Sequence, residues 1–135
     1  MKKLIVSALL LTAALGFSQV TMQVGVKGLK NTNGKVVIGI YNSEDTFLKK
    51  TYKGRAAKIK NNKATTTFTN LPAGEYAVSV YHDENSNQKL DVNFMGIPKE
   101  KYATSNGAKG FMGPPKYSDA RFKMTENKTI IIKID

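Results

Sequence analysis

The chain is 135 residues long, with 21 Lys and Arg against 10 Asp and Glu, a formal charge of +11 and no cysteine. That length holds one compact domain and excludes two. The missing cysteines exclude disulfide scaffolding, lipid attachment through Cys and the usual Cys/His zinc sites.

Residues 1–18, MKKLIVSALLLTAALGFS, open on Lys2 and Lys3 and continue with an apolar run from Leu4 to Leu15. Gly16 and Ser18 then set small residues at the −3 and −1 positions of a cleavage site. This is the layout of a secretory signal peptide. The apolar run is too short for a comfortable membrane span of about 20 residues. The expectation is an exported protein, periplasmic or secreted, whose single domain is residues 19–135. Cleavage removes Lys2 and Lys3 and lowers the charge from +11 to +9. A surface that basic favours polyanions such as envelope polysaccharide. Export removes nucleic acid as the usual partner.

The remainder reads as strands. In VTMQVGV, Val20, Met22, Val24 and Val26 alternate with Thr21, Gln23 and Gly25, the period of a half-buried strand. Asn33-Gly34 supplies the positive φ of a tight hairpin turn before KVVIGIY. NSEDTFLKK could form one helical turn capped by Ser43. AAKIK and ATTTF flank Asn61-Asn62-Lys63, a second hairpin signal, and EYAVSVYH alternates again. ARFKM and TIIIKI make a last pair joined by TENK. About seven short strands without an amphipathic helix predict an all-β fold, a two-sheet antiparallel β-sandwich of immunoglobulin-like or prealbumin-like topology. One long loop, from Asp83 to about Ser118, breaks the spacing. Its aromatic residues, Phe94, Tyr102, Phe111 and Tyr117, need burial, so the loop is expected to fold back on the sandwich.

That loop starts with an unusual grouping of oxygen ligands. Asp83, Asn85, Asn87 and Asp91 stand at positions 1, 3, 5 and 9 of a calcium-loop count, with the Lys89 carbonyl at position 7. Ca²⁺ takes six to eight such oxygens, and alternate residues of a tight loop converge on one centre. Gln88 stands where such loops place glycine, and Phe94 occupies position 12 in place of a bidentate glutamate. Further ligands would come from Asn93, Glu100 or Asp119. Few carboxylates imply weak binding, about 10⁻⁴–10⁻³ M. The alternative is a metal-free polar turn, since Asp and Asn side chains also bond the local backbone.

Three other features carry two readings each. Residues 49–63 hold Lys49, Lys50, Lys53, Arg55, Lys58, Lys60 and Lys63 and no acid. They form either a docking strip for a polyanion or an edge strand guarded by lysines. Residues 105–122 hold Phe111, Met112 and Tyr117 among glycines and two prolines; they either line an apolar ligand pocket or cover one end of the sandwich. His82, the sole histidine, lies beside Asp83. The pair is either a base with its orienter, in a small hydrolase or isomerase, or a packing and hydrogen-bonding element at a strand end. No G-x-S-x-G elbow or phosphate-cradling glycine loop accompanies it, and the expectation is a binding or structural module that is not an enzyme.

FTNLPAGEYAVSVYHDENSNQKLD, GIPKEKYATSNGA and GPPKYSDARF, in this order, resemble the bacterial exported family catalogued as domain of unknown function 2141. The likeness covers nearly all of the chain after the leader and implies a single exported domain without an established activity. Phe68, Leu71, Pro72, Gly74 and Tyr76 are also similar to a strand–turn–strand signature of transthyretin-like and collagen-adhesin B-type sandwich modules. Their calcium loops resemble D-x-N-x-N-x-x-x-D, which implicates Asp83, Asn85, Asn87, Lys89 and Asp91. Transthyretin-like hydrolases rely on several histidines, and this chain has one.

Overall fold

The computed structural model describes residues 18–90, 94–95, 98–111 and 113–135. The leader up to residue 17 and residues Asp91, Asn93 and Met112 therefore lie outside the described residues.

Among the described residues, eight strands build two facing sheets. The first sheet holds β1 (Gln19–Lys27) between β4 (Ala64–Pro72) and β8 (Lys128–Lys133). The second runs in the order β3 (Lys53–Lys58), β2 (Lys35–Tyr41), β5 (Gly74–Asp83), β6 (Tyr102–Thr104). A further short strand, β7 (Phe122–Met124), also pairs with β5. All pairings are antiparallel except β1 with β8, which is parallel. The all-β sandwich expected from the alternation is therefore observed.

Alternation works because successive side chains of a strand point to opposite faces. Val20, Met22, Val24 and Val26 of β1 are buried, and they meet Val36, Ile38 and Ile40 of β2 and Val78 and Val80 of β5 in one core. Phe68 and Leu71 of β4 both point inward although three positions separate them. A bulge explains this: Met22 faces Phe68 and Val20 faces Leu71, so β4 carries one residue more than β1 across the same interval. Asn70, with φ of 56°, absorbs the extra residue.

The Asn-rich turns form where the sequence places them but join different partners. Gly34 has φ of 67°, and Asn61 and Asn62 have φ of 53° and 59°. The Asn61–Asn62 turn closes a tight local hairpin, in which Lys60 and Lys63 exchange backbone N–H···O bonds of 2.9 and 3.1 Å, but the strands flanking each turn lie in different sheets. The first carries the chain from β1 in one sheet to β2 in the other, and the second carries it from β3 back to β4. ARFKM and TIIIKI are likewise not paired: β7 joins β5 and β8 joins β1. Local turn chemistry sets the reversal, whereas the facing sheet decides which strand is met. The NSEDTFLKK segment folds as consecutive turns rather than a helix, and Ser43 Oγ bonds the Thr46 hydroxyl at 2.7 Å.

The long loop does fold back. It supplies β6, a 3-10 turn at Ser105–Gly107 and the short helix α1 (Tyr117–Ala120). β6 pairs with Ser79–Tyr81 and β7 with Gly74–Tyr76, so Ala77 and Val78 fall in the gap between them. Buried Ser105 bridges it: its Oγ accepts the Val78 N–H at 3.0 Å and donates to the Ala120 carbonyl at 2.6 Å. Tyr117 and Ala120 pack with Tyr41, Phe47 and Ala77 in a second, smaller core outside the β5 face. Phe94, Tyr102 and Phe111 depart from expectation, being 97%, 43% and 93% exposed, and of the four aromatic residues Tyr117 alone is buried.

Candidate functional site

β5 ends in Asp83, which is 1% exposed. The β1–β2 turn rests directly on this point: a Cβ at Gly34 would collide with the Asp83 carbonyl oxygen, so only glycine fits there. His82, equally buried, donates or shares its Nε2 proton with the Asn33 carbonyl at 2.7 Å. Its Nδ1 lies 3.9 Å from Glu84 Oε1. The ring thus straps the crossover turn to the end of β5, and its Nε2 is committed to main chain.

From Asp83 the chain curls around its own side chains. One Asp83 carboxylate oxygen accepts the Asn87 N–H at 3.2 Å, and the other accepts the Gln88 N–H at 2.7 Å. Asn85 Oδ1 accepts the Asn87 N–H at 3.2 Å, and Asn87 Oδ1 accepts the Lys89 N–H at 2.9 Å. Gln88 takes φ of 60°, the left-handed conformation for which calcium loops use glycine at that position. Glu100 returns to the start of the loop, where its Oε2 accepts the Glu84 N–H at 2.9 Å. The structure thus brings Asp83, Asn85 and Asn87 into one tight turn, with Lys89 following them. Among the described residues, no group of three His, Cys, Asp or Glu side chains surrounds a common centre.

The other candidates are scattered. Tyr117 is buried against Phe47, with ring centroids 5.6 Å apart, and Phe111 projects into solvent, so the two do not share a pocket wall. The recess on that side, about 520 Å³, instead lies between β6, residues 107–110 with Pro115, and β8. Tyr102, Thr104, Lys109, Pro115, Ile131 and Lys133 form its walls. Lys49 and Lys50 stand on the turn before β3, Lys53, Arg55 and Lys58 on β3 itself, and Lys60 and Lys63 on the turn after it. All seven are exposed and, among the described residues, none meets a carboxylate. β3 is an edge strand, so the strip also guards an open edge.

A second depression escaped sequence reasoning. On the outer face of the larger sheet, Gly39 pairs with Gly54 on one side and Ser79 on the other, and Val37 pairs with Ala56 and Tyr81. The small residues make a trough of about 290 Å³, bordered by Tyr41, Thr51, Arg55, Tyr81 and Gln88. The available signal was the run of glycine, alanine and serine at the non-core positions of three strands, legible only once the register is known.

These features define a two-sheet β-sandwich with an oxygen-rich turn at the end of its central strand and a basic edge. The chain belongs to the family described as an uncharacterized protein conserved in bacteria (DUF2141), whose model matches residues 24–132. A comparison with curated proteins found no match, and neither did one with solved structures. Among the described residues, no helix is long and apolar enough to cross a membrane.

Proposed function

We propose that this protein is an exported, envelope-associated binding or structural module in which one calcium ion fastens the loop of residues 83–91. The observation that carries this reading is Asp83. A carboxylate removed from water is costly unless a positive charge or several donors compensate it. Asp83 is 1% exposed in a chain of charge +11, yet among the described residues no lysine or arginine reaches it. Among the described residues, two amide N–H groups bond its oxygens and hold the carboxylate in place, and a carboxylate has about four lone-pair sites with which it can also meet a cation.

The donor set fits a hard cation and suits calcium in particular. Carboxylate, amide and main-chain oxygens are its ligands, and Asp83, Asn85, Asn87 and the Lys89 carbonyl would supply them. The left-handed turn at Gln88 supports the same reading, since a side-chain-bearing residue there costs roughly 1 kcal/mol that the loop must recover elsewhere. Asp91 is the remaining expected ligand. When bound, the ion would supply a positive charge at the root of the long excursion to β6. Asp83 would anchor it to β5, and the Asn33–Gly34 turn and His82 would brace that anchor from behind.

Calorimetric titration of the leaderless protein with CaCl₂ tests the proposal. Millimolar calcium should release or absorb heat and raise the melting temperature, and Asp83→Asn should abolish both responses. An identical thermal response in the wild type and Asp83→Asn would refute it.

A further inference from the structure

We propose that the recess between β6 and β8 takes an extended acidic peptide of a partner protein, which adds to the free edge of β8 as a further strand. This extends the binding-module reading above and does not depend on the calcium ion.

Two open edges meet at this recess. β8 ends the smaller sheet and β6 ends the larger one, and among the described residues β8 pairs with β1 alone and β6 with β5 alone. Tyr102, Ala103 and Thr104 of β6 all border the space, as do Ile131, Ile132 and Lys133 of β8. Successive side chains point to opposite faces, so three consecutive residues line one space along a strand's edge and not from one face. Ile131, 59% exposed, leaves an apolar side chain open beside that edge.

The direction of the free main-chain groups follows from two bonds. The Ile134 N–H donates to the Lys27 carbonyl at 2.9 Å. Main-chain groups alternate sides along a strand, so Ile130 and Ile132 turn theirs to β1 as well. Thr129, Ile131 and Lys133 then turn theirs to the open edge. The His82 N–H donates to the Lys101 carbonyl at 2.9 Å, and the same count leaves the groups of Tyr102 and Thr104 facing away from β5. Free N–H and C=O groups thus recur at every second residue of β8, roughly 6.6 Å apart. A peptide strand repeats its own groups at that interval and can meet each of them, which is the basis of recognition by strand addition. A sugar chain carries no such alternation.

The walls select the side chains. Ala103, Ala108, Pro115 and Ile132 give the recess apolar surface, which suits apolar residues at alternate positions of the peptide. Lys109 and Lys133 supply positive charge. Lys109 meets no carboxylate among the described residues, and Lys133 reaches only Asp135, at 3.8 Å on the exposed surface. Two amines against one carboxylate leave an excess that acids on the other face of the peptide would complement. A second copy of this chain fits less well. Its own β8 would bring Lys128 and Lys133 to the pairing, between two chains that each carry +11, or +9 without the leader.

The test titrates the leaderless protein with a capped, labelled heptapeptide that alternates valine and glutamate, in calcium and in chelator. Saturable binding is expected, and the Ile131 and Lys133 amides should exchange with deuterium more slowly in the complex. N-methylating one alternate set of peptide residues should abolish binding and methylating the other should be tolerated, because only one set faces β8. Replacing glutamate by glutamine in the peptide should weaken binding about tenfold or more. Ile131→Pro removes an edge donor without taking a bond from β1, and Lys109→Glu reverses a wall charge without touching β8. Each should weaken binding about tenfold, the second with a melting curve near wild type, whereas Lys60→Glu/Lys63→Glu, outside the recess, should not. No saturable binding, or equal loss from both methylated sets, would overturn strand addition. Loss in the double variant with none in Lys109→Glu would overturn the recess in favour of diffuse charge attraction. Slower exchange at Tyr102 and Thr104 in place of Ile131 and Lys133 would overturn the assignment to β8. Tighter binding of oligogalacturonate would overturn the peptide as occupant, and a dimer of the free protein that Ile131→Pro dissolves would give the edge to a second copy. Peptide binding that survives chelator, without any calcium heat, would uphold this site while rejecting the calcium loop.

Discussion

Tyr117 is the residue whose environment is least comfortable. Its ring is buried between Phe47 and the outer face of β5, but among the described residues its hydroxyl has no hydrogen-bond partner within 3.5 Å. Burial, helped by the nearby Glu75 carboxylate, pushes its pKa up from 10.0 to about 12. The raised value means the native state keeps a proton that the unfolded chain releases. Stability from this group is complete below pH 10 and is lost as pH rises through about 12. Tyr117→Phe removes the unpartnered hydroxyl and keeps the ring. It should be neutral or stabilise by up to about 1 kcal/mol in urea at neutral pH, and it should flatten the alkaline decline. A clear loss of stability in the variant at neutral pH would show that the hydroxyl is held by a bond after all. Tyr76 is the contrasting case: its hydroxyl donates to the Pro72 carbonyl at 2.6 Å and pins the chain where it crosses from β4 to β5. That bond gives a physical role to the L-P-x-G-x-Y spacing.

At the scale of elements, the edge of β5 decides how the long loop is held. β6 and β7 are three residues each, and neither would persist alone. They share one edge end to end, and Ser105 closes the interval between them with a side chain in place of a strand. Ser105→Ala would leave the Val78 N–H and the Ala120 carbonyl buried without these partners, at about 1–3 kcal/mol. Chemical denaturation should show that loss, and hydrogen exchange should quicken first at Val78 and in α1. Ser105→Thr keeps the hydroxyl but adds a methyl at a site with 0% exposure, so it should rescue only part. The sequence showed an excursion that had to return. It did not show Ser105 as the fastening, because a serine among glycines and asparagines reads as loop.

At the scale of the whole molecule, the first and last strands lie side by side. β1 and β8 run parallel from Met22↔Lys128 to Lys27↔Lys133, and the Thr21 N–H donates to Asn127 Oδ1 at 2.9 Å. The first sheet therefore cannot be completed until the last residues of the chain arrive. Pairings this distant slow folding toward the millisecond-to-second range of all-β domains. Stopped-flow refolding of the leaderless chain should fall in that range, and removing residues 128–135 should leave a species without a cooperative thermal transition. A truncated chain that still melts cooperatively would mean that β4 and β1 suffice against the larger sheet. The net positive charge belongs to this scale too, since it is spread over the strip at β3, the recess near Lys109 and Lys133, and the loop around Lys99 and Lys101.

By itself the sequence determined which residues turn inward, where the chain reverses and which loop gathers oxygen atoms, because each of these depends on near neighbours. Side-chain period fixed the inward set of β1, β2 and β5, and Asn or Gly in left-handed conformation fixed the turns. Only the tertiary structure decided that the Asn33–Gly34 and Asn61–Asn62 turns cross between sheets, that β8 returns to β1, and that Phe111 and Tyr117 separate. Strand partnership depends on which apolar faces can close one core, a property of the whole chain that no local pattern encodes. The trough between Gly39, Gly54 and Ser79 exists for the same reason: three unremarkable small residues become a floor only when register sets them abreast.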